Sequence, residues 1–526
     1  MNAAQRIGLL LTVVLILPAG ASANDEDLDG LPIVAIHFER FDVFDTSQPK
    51  TSYWPYRWAN ALHIISKEEF LRSMILFTEG DPYSASAAAE SARILRSLGF
   101  INPVEIRARK VAGGVDVFVE THDRWSLKVG ANLGIFGNRS TYSLDLEEDN
   151  LLGWGKSVKV GYESDEERTS WSYRYIDPNV FSSRWRLRLE HKNHSDGSRD
   201  EVRIDRPFYS LATPWSWGIE GLSEKLTEHL YSQSESVVSG QHDSEKLRVW
   251  GGARLPGNGN LTRRLVGGWV YGKDRYSEWD WNDGAPYPTP EDRIIEGPTL
   301  AIEQVADRFQ VVRGFRAWVS QEDIALGPNY RFSTTFSHPS FGGDRQRLLL
   351  AGEVHAAGRR GRWLILGDAW LAGRVESGET RNVVFGAQVG AAQLGQRGWQ
   401  LRLYGETSHK LDLDRQLTLG ADRGLRGWDP DYFDGTGRAI LNVQWRTLIK
   451  EEVLGLFSVG VIVFGDAGAT WDPRVGPDTD GVRVDAGAGL LFDLAHLGRT
   501  SLLRVDVAFP DDGSGPTFTL STSSIF

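Results

Sequence analysis

The chain of 526 residues contains no cysteine. Disulfide staples, thiolate nucleophiles and cysteine-ligated zinc are therefore all excluded. An excess of cationic residues is missing too: the net charge of −12 gives no electrostatic case for nucleic acid. Long apolar runs are also lacking, and nothing after the N-terminus approaches the ~20 apolar residues that a spanning helix needs. The one apolar run, Ile7 to Leu17, follows Arg6 and precedes Ala21-Ser22-Ala23, an A-x-A cleavage pattern. Residues 1–23 read as a secretory signal peptide, and the mature chain is expected to begin at Asn24. An exported chain of this kind enters a bilayer only as a closed barrel, because no other strand structure pairs every backbone group in lipid.

What is present is a dyad. From Trp125 to Ile135 every odd position is apolar and every even one is polar or glycine. The same alternation returns in Arg184 to Glu190, with three arginines on the polar side, and in Leu503 to Phe509. Side chains alternate faces along a strand, so each segment has one greasy and one wet side. The pattern recurs to the C-terminus, where the last strand ends in Phe526. With 57 glycines, 19 tryptophans and 15 tyrosines, and a mean hydropathy of −0.32, this reads as a transmembrane β-barrel.

Residues 31 to 123 follow a different pattern. Ile33 to Phe41 is a strand candidate. Ser66-Lys67-Glu68-Glu69 has the form of a capping box, and Phe70, Leu71, Met74 and Ile75 then fall on one helical face. Ser84 to Leu98 is a second, alanine-rich helix, stopped by Gly99. Val104 to Ala108 and Val115 to Val119 alternate as two more strands. The expectation is a small β-α-α-β-β domain, followed from residue 124 by hairpins alone. The barrel part offers about 20 strand candidates, and boundary errors are expected. The number should be even, because both ends belong on the periplasmic side. Short turns at Asn150 to Gly155 and Asp177 to Ser183 are expected there, and longer connections, Ser223 to Glu245 and Tyr276 to Arg293, outside.

Several motifs now point to a family. Asp149-Asn150-Leu151-Leu152-Gly153-Trp154-Gly155 resembles the "NLLGxG" turn of the outer-membrane insertase superfamily, the BamA and TamA type. Gly420 to Trp428, centred on Leu425-Arg426-Gly427-Trp428, is similar to its "VRGF/Y" loop signature. Phe464-Gly465-Asp466-Ala467-Gly468-Ala469-Thr470-Trp471 resembles "FxDxGxxW". Val312-Arg313-Gly314-Phe315 is a more literal copy of the loop signature, but it runs straight into Glu322 to Gly327 and reads as strand. Five strand candidates follow Arg426: 438–447, 455–466, 482–493, 500–509 and 517–526. Residues 31–123 look like a single polypeptide-transport-associated (POTRA) domain, and 124–526 like a bacterial surface antigen barrel, for which the resemblance implies about 16 strands.

The resemblance implies that the loop folds into the lumen, with Leu425, Arg426, Gly427 and Trp428 anchored on Asp466. Asp466 has the parity opposite to the outward Phe457, Val459, Val461 and Val463, so a guanidinium from the loop can pair with it bidentately. Family members often carry an acidic residue on the following strand; Gln444 stands at the nearest position here. The resemblance also implies a lateral seam, with Trp125, Leu127 and Val129 on the first strand and Phe518, Leu520 and Phe526 on the last. Ser521 to Ser524 pack weakly there, and a poorly zipped edge is a template for a client strand.

His191, His194 and Asp196, and the calcium-loop fragment Asp478 to Gly481, read as ordinary loop and turn residues. No G-x-S-x-G and no catalytic constellation occurs, and no cofactor is expected. The leading expectation is insertion or translocation of unfolded outer-membrane or secreted polypeptides, with outer-membrane lipid and accessory periplasmic or inner-membrane proteins as partners. The alternatives are a passive pore or secretion channel, its lumen lined by Arg184, Arg186 and Arg188, and a structural surface-antigen barrel.

Overall fold

The computed structural model describes residues 28–47, 51–136, 139–257, 261–453, 457–476, 481–494 and 502–521. The signal-peptide segment, Thr522 to Phe526 and most of the Asp478 to Gly481 turn lie outside the described residues. Among those described, no helix is long and apolar enough to cross a membrane.

The N-terminal domain holds strands β1 (Ile33–Phe41), β2 (Ile101–Val111) and β3 (Gly114–Asp123). Their order is β1-β3-β2, with β1 parallel and β2 antiparallel to β3. Helices α1 (Trp54–Leu62), α2 (Glu68–Met74) and α3 (Ala85–Ser97) separate β1 from β2. The periodic apolar residues of α2 and α3 meet the sheet: Phe70, Leu71, Met74 and Leu95 pack with Ile33, Val115, Val117 and Val119. Ser84 caps α3 by accepting from the Ala87 amide, and Gly99 ends it at φ +83°. α1 is an addition to the expected two helices.

Ser66 does not cap α2. The capping position is Lys67, with no side-chain bond, and both the amide and the hydroxyl of Ser66 donate to Asp123 instead. Bonds to a buried carboxylate are charge-assisted and outweigh a cap bond to a neutral amide.

The barrel is closed and antiparallel, with 20 strands. The first is Leu127–Phe136 and the last Thr517–Ser521. The count matches the segment reading and corrects the figure of about 16 carried by the family resemblance. Being even, it returns the chain to its starting rim. The rim beside the N-terminal domain is called the near rim here, and the opposite one the far rim. The strands after Arg426 run Gly437–Val453, Phe457–Trp471, Arg483–Asp493, Leu502–Pro510 and Thr517–Ser521.

Outward positions are apolar and open: Val129, Leu144, Leu146, Val463, Val505 and Phe509 are exposed. Inward positions of the same sheet are polar and buried, among them Asn442, Gln444, Asp466 and Asp506. The wall is uneven in height. The seventh, eighth and ninth strands, Trp215–Ser232, Glu235–Arg254 and Leu261–Trp281, have 18, 20 and 21 residues, against 10 in the first. The expected long connection over Ser223 to Glu245 is therefore strand, closed by a tight turn at Gln233 and Ser234. Most of its residues are polar, and Leu230 and Val238 are buried with Tyr276 and Trp279, which breaks the alternation while the backbone ladder continues.

Candidate functional site

The lumen is entered from both rims. From the far rim, residues 410–436 fold inward around two short paired strands, Leu417–Leu419 and Phe433–Gly435. Leu419, Leu425, Trp428 and Phe433 cluster with Ile440 of the wall. This cluster presents Arg426 to Asp466 in a bidentate pair, Nε to Oδ2 at 2.7 Å and Nη2 to Oδ1 at 2.8 Å. The Asp466 side chain is fully buried and that of Arg426 is 11% exposed. The guanidinium also lies 3.5 Å from the centre of the Phe464 ring, and Asn442 donates to Asp466 at 2.7 Å. Gly427 passes so close to the wall that a Cβ there would sit 2.6 Å from Cβ of Asp485. On the opposite wall the loop's backbone accepts from Gln233 and Ser234, so it bridges the lumen.

From the near rim, residues 307–326 also fold inward. Val312-Arg313-Gly314-Phe315 is not continuous strand. It leaves the short strand Phe309–Val312, bends through 313–320, and returns as Glu322–Ala325. Its hydrophobic residues are satisfied inside the barrel rather than by lipid. Phe315 and Val312 pack with Leu364 and Ala392, while Ala317 and Trp318 pack with Ile462, Phe464 and Leu491. Gly460 is the seat for Trp318, since a Cβ would lie 2.2 Å from its ring. The amides of Trp318 and Val319 donate to Asp493 at 2.6 and 3.0 Å. No local pattern marked this hairpin, because its partners come from strands far along the chain.

The two insertions are joined. Arg426 Nη1 donates to Gln444 at 3.2 Å, Gln444 to Gln400 at 2.6 Å, and Gln400 to the carbonyl of Phe315 at 3.0 Å. Gln444 thus takes the third donor of Arg426, where the family resemblance suggested an acidic residue. The near hairpin is in turn held by the N-terminal domain. Arg96 pairs with Asp323, Asn102 with the Gln321 carbonyl at 3.0 Å, and Arg124 with Ser320 at 3.1 Å. A polar path thus runs from the domain to the far loop.

The domain also grips two near-rim turns. The Lys67 amide donates to Gly153 at 2.9 Å, and Asn150 donates to Ser66 at 3.0 Å. Ser66 in turn donates to Asp123. Burial pushes the Asp123 carboxyl up to about 6, against the opposing pull of the Ser66 hydrogen bonds and of His63. Arg184, expected in the lumen row, sits in a near-rim turn at φ 65°. It donates to the carbonyls of Met74 and Ile75. Arg186 and Arg188 do lie on a strand, each neutralised by a carboxylate: Asp205 and Glu190.

Among the described residues the seam is short. Three pairs, Phe518↔Ile135, Thr519↔Gly134 and Leu520↔Leu133, join the last strand to the first. The next shortest junction, between the last two strands, has five. Leu127 and Val129 lie on the first strand below these pairs, opposite Glu148 and Leu146 of the second strand. Trp125 precedes the strand, beside His63, with ring centres 6.4 Å apart. Phe526 lies outside the described residues. His191 and His194 belong to strand Trp185–His194 rather than a loop, and bond separately to Asp200 and Ser170.

Neither a protein-family model nor a curated protein matches the chain. Solved structures do. BamA from Haemophilus ducreyi lacking POTRA domains 1–3 shares 14% identity over 93% of this chain and 84% of that one, with a TM-score of 0.40. CdiB from Acinetobacter baumannii shares 10% over 94% and 74%, at a TM-score of 0.47. CdiB from Escherichia coli shares 12% over 94% and 76%, at 0.43. Likenesses this weak carry no weight for the function of this chain.

Proposed function

We propose that this chain is a bacterial outer-membrane protein of the BamA/TamA type. It passes unfolded polypeptides into or across the membrane, with its N-terminal domain in the periplasm. The observation that carries this reading is a lumen filled from both rims, beside a seam that shows three pairs among the described residues. A route through the centre requires two insertions and their hydrogen-bonded link to move. A route through the wall at the seam leaves both insertions in place, and it exposes strand edges able to pair with a client. The edges of the domain's own sheet, β1 and β2, offer the same chemistry to an unfolded chain before it reaches the barrel. Arg426 and Asp466 hold the far loop against the strands beside the seam, where Thr517 of the last strand donates to the Arg426 carbonyl at 2.7 Å. Outer-membrane lipid and accessory periplasmic proteins complete the set of partners.

The test is the folding rate of a urea-unfolded outer-membrane barrel into liposomes, with and without the purified protein. A Leu133→Cys, Leu520→Cys double variant zips the seam covalently across an opposed pair. Acceleration by the reduced form that disappears on oxidation supports lateral passage. Acceleration unaffected by oxidation overturns the seam. No acceleration together with a steady single-channel conductance favours the pore.

A further inference from the structure

The geometry points to helix α1 as an interfacial anchor. Trp54, Trp58 and Leu62 lie among the lipid headgroups of the leaflet on the domain's side, next to the first barrel strand. The three residues are four apart and make one stripe. They are 72%, 63% and 58% exposed, and flanking Tyr53 and Ile64 are exposed as well. Tyr56 and Asn60 fasten the helix to its domain from another side. Asn60 exchanges two hydrogen bonds with the Phe44 backbone, at 3.2 and 2.8 Å. Tyr56 meets the Phe44 ring edge-on at 5.1 Å. The helix is thus fastened to its domain by a polar side chain and turns its apolar stripe outward, the reverse of a helix that covers a core. It carries no acidic residue, and Arg57 is its one cation.

The segment after α1 is tied to the near rim. Asn150 reaches the Ile64 carbonyl at 3.5 Å, and the Lys67 amide donates to Gly153. Two more apolar side chains project from the near-rim turns, Leu152 at 60% and Phe181 at 97% exposure. Both sit on left-handed backbone, at φ 55° and 50°. Leucine and phenylalanine are strained at such positions, and exposure to water offers no compensating burial. Together with Val129, at 70% exposure on the first strand, they continue the barrel's outer apolar face past the rim and onto the domain. Lipid is the occupant because this surface is continuous with the lipid-facing wall. Its mix of tryptophan, tyrosine and a lone arginine suits the headgroup layer. The anchor limits the swing of the domain and places it on one flank of the seam.

The inference rests on the membrane-barrel reading, and the experiment separates the two. Because the chain has no cysteine, single spin labels can be placed at Trp58→Cys, at Leu144→Cys on the barrel wall, and at Lys110→Cys on the exposed part of β2. Each variant is reconstituted in liposomes and confirmed as folded by its electrophoretic shift on heating. Collision rates with oxygen and with a water-soluble nickel chelate are then compared. The expected result is a severalfold loss of nickel accessibility at position 58 relative to position 110, with oxygen accessibility approaching that at position 144. Nickel access at 58 equal to that at 110, with 144 protected, overturns the anchor alone. Access at 144 as high as at 110 overturns the membrane reading itself. Spin–spin broadening between labels at 58 assigns the stripe to a second copy and also overturns the proposal.

Discussion

Arg96 of α3 holds Asp323 of the near lumen hairpin through two parallel hydrogen bonds, 2.7 Å from Nε and 2.6 Å from Nη2. The side chains are 8% and 14% exposed, so the pair is largely withdrawn from water. It links the N-terminal domain to the segment that closes the barrel at the near rim.

Arg96→Ala leaves Asp323 without its fork of donors. Removing one partner of a buried pair costs about 3–5 kcal/mol. This pair is not fully dry, so the lower end is expected. The hairpin should leave its seat more often, seen as more frequent conductance steps in planar bilayers. Arg96→Lys should restore only part of the closure, since an ammonium cannot match the bidentate geometry.

Trp318→Ala removes the ring that sits over Gly460 and packs with Phe464. Loss of a buried aromatic costs about 3–5 kcal/mol. The barrel wall remains complete, so the heat-modifiable mobility of the protein should persist while baseline conductance rises. A wall that falls apart instead would make the hairpin structural rather than a closure.

Arg426→Ala strips Asp466 of both guanidinium bonds and Phe464 of its cation. With a fully buried carboxylate left behind, a loss of about 3–5 kcal/mol is expected, read as a lower midpoint of guanidinium unfolding in detergent. The double variant Arg426→Ala, Asp466→Ala should be less destabilised than the single variant, because no orphan charge remains.

The Asp123 carboxyl is pushed up to about 6 from 3.8 by burial. The folded domain therefore keeps a proton that the unfolded chain has released. The stability contributed by this group is fully present below about pH 4 and lost as pH rises through about 6, a change of about 3 kcal/mol. Exchange protection of the Ser66 amide, corrected for intrinsic rate, should be lower at pH 7 than at pH 4. Asp123→Asn should remove that difference.

The alternating apolar residues carried most of the architecture in the sequence. Val129 or Val463 must face outward for its neighbours to face the lumen, and each dyad states this locally. The Arg426 and Asp466 positions were legible through motif and parity. Three things were not. The upper parts of the tall strands are mostly polar and bury Leu230 and Val238 out of alternation with Tyr276 and Trp279, so Ser223 to Glu245 reads as a loop. The near hairpin is buried against residues such as Leu364, Ile462 and Leu491, which are distant in sequence, so Phe315 and Trp318 look like ordinary strand residues. Ser66 shows the capping pattern, yet the competing acceptor, Asp123, comes from a strand 57 residues away.

The unequal strands give the barrel a front and a back. A strand of 21 residues is about 70 Å long at ~3.3 Å per residue. Tilted by about 40°, it stands roughly 50 Å high, about twice the apolar band of an outer-membrane barrel. The 10-residue first strand rises barely above that band. Seen from the far rim, the molecule is a sheltered cove, with a tall palisade on one bank and a low sill at the seam on the other.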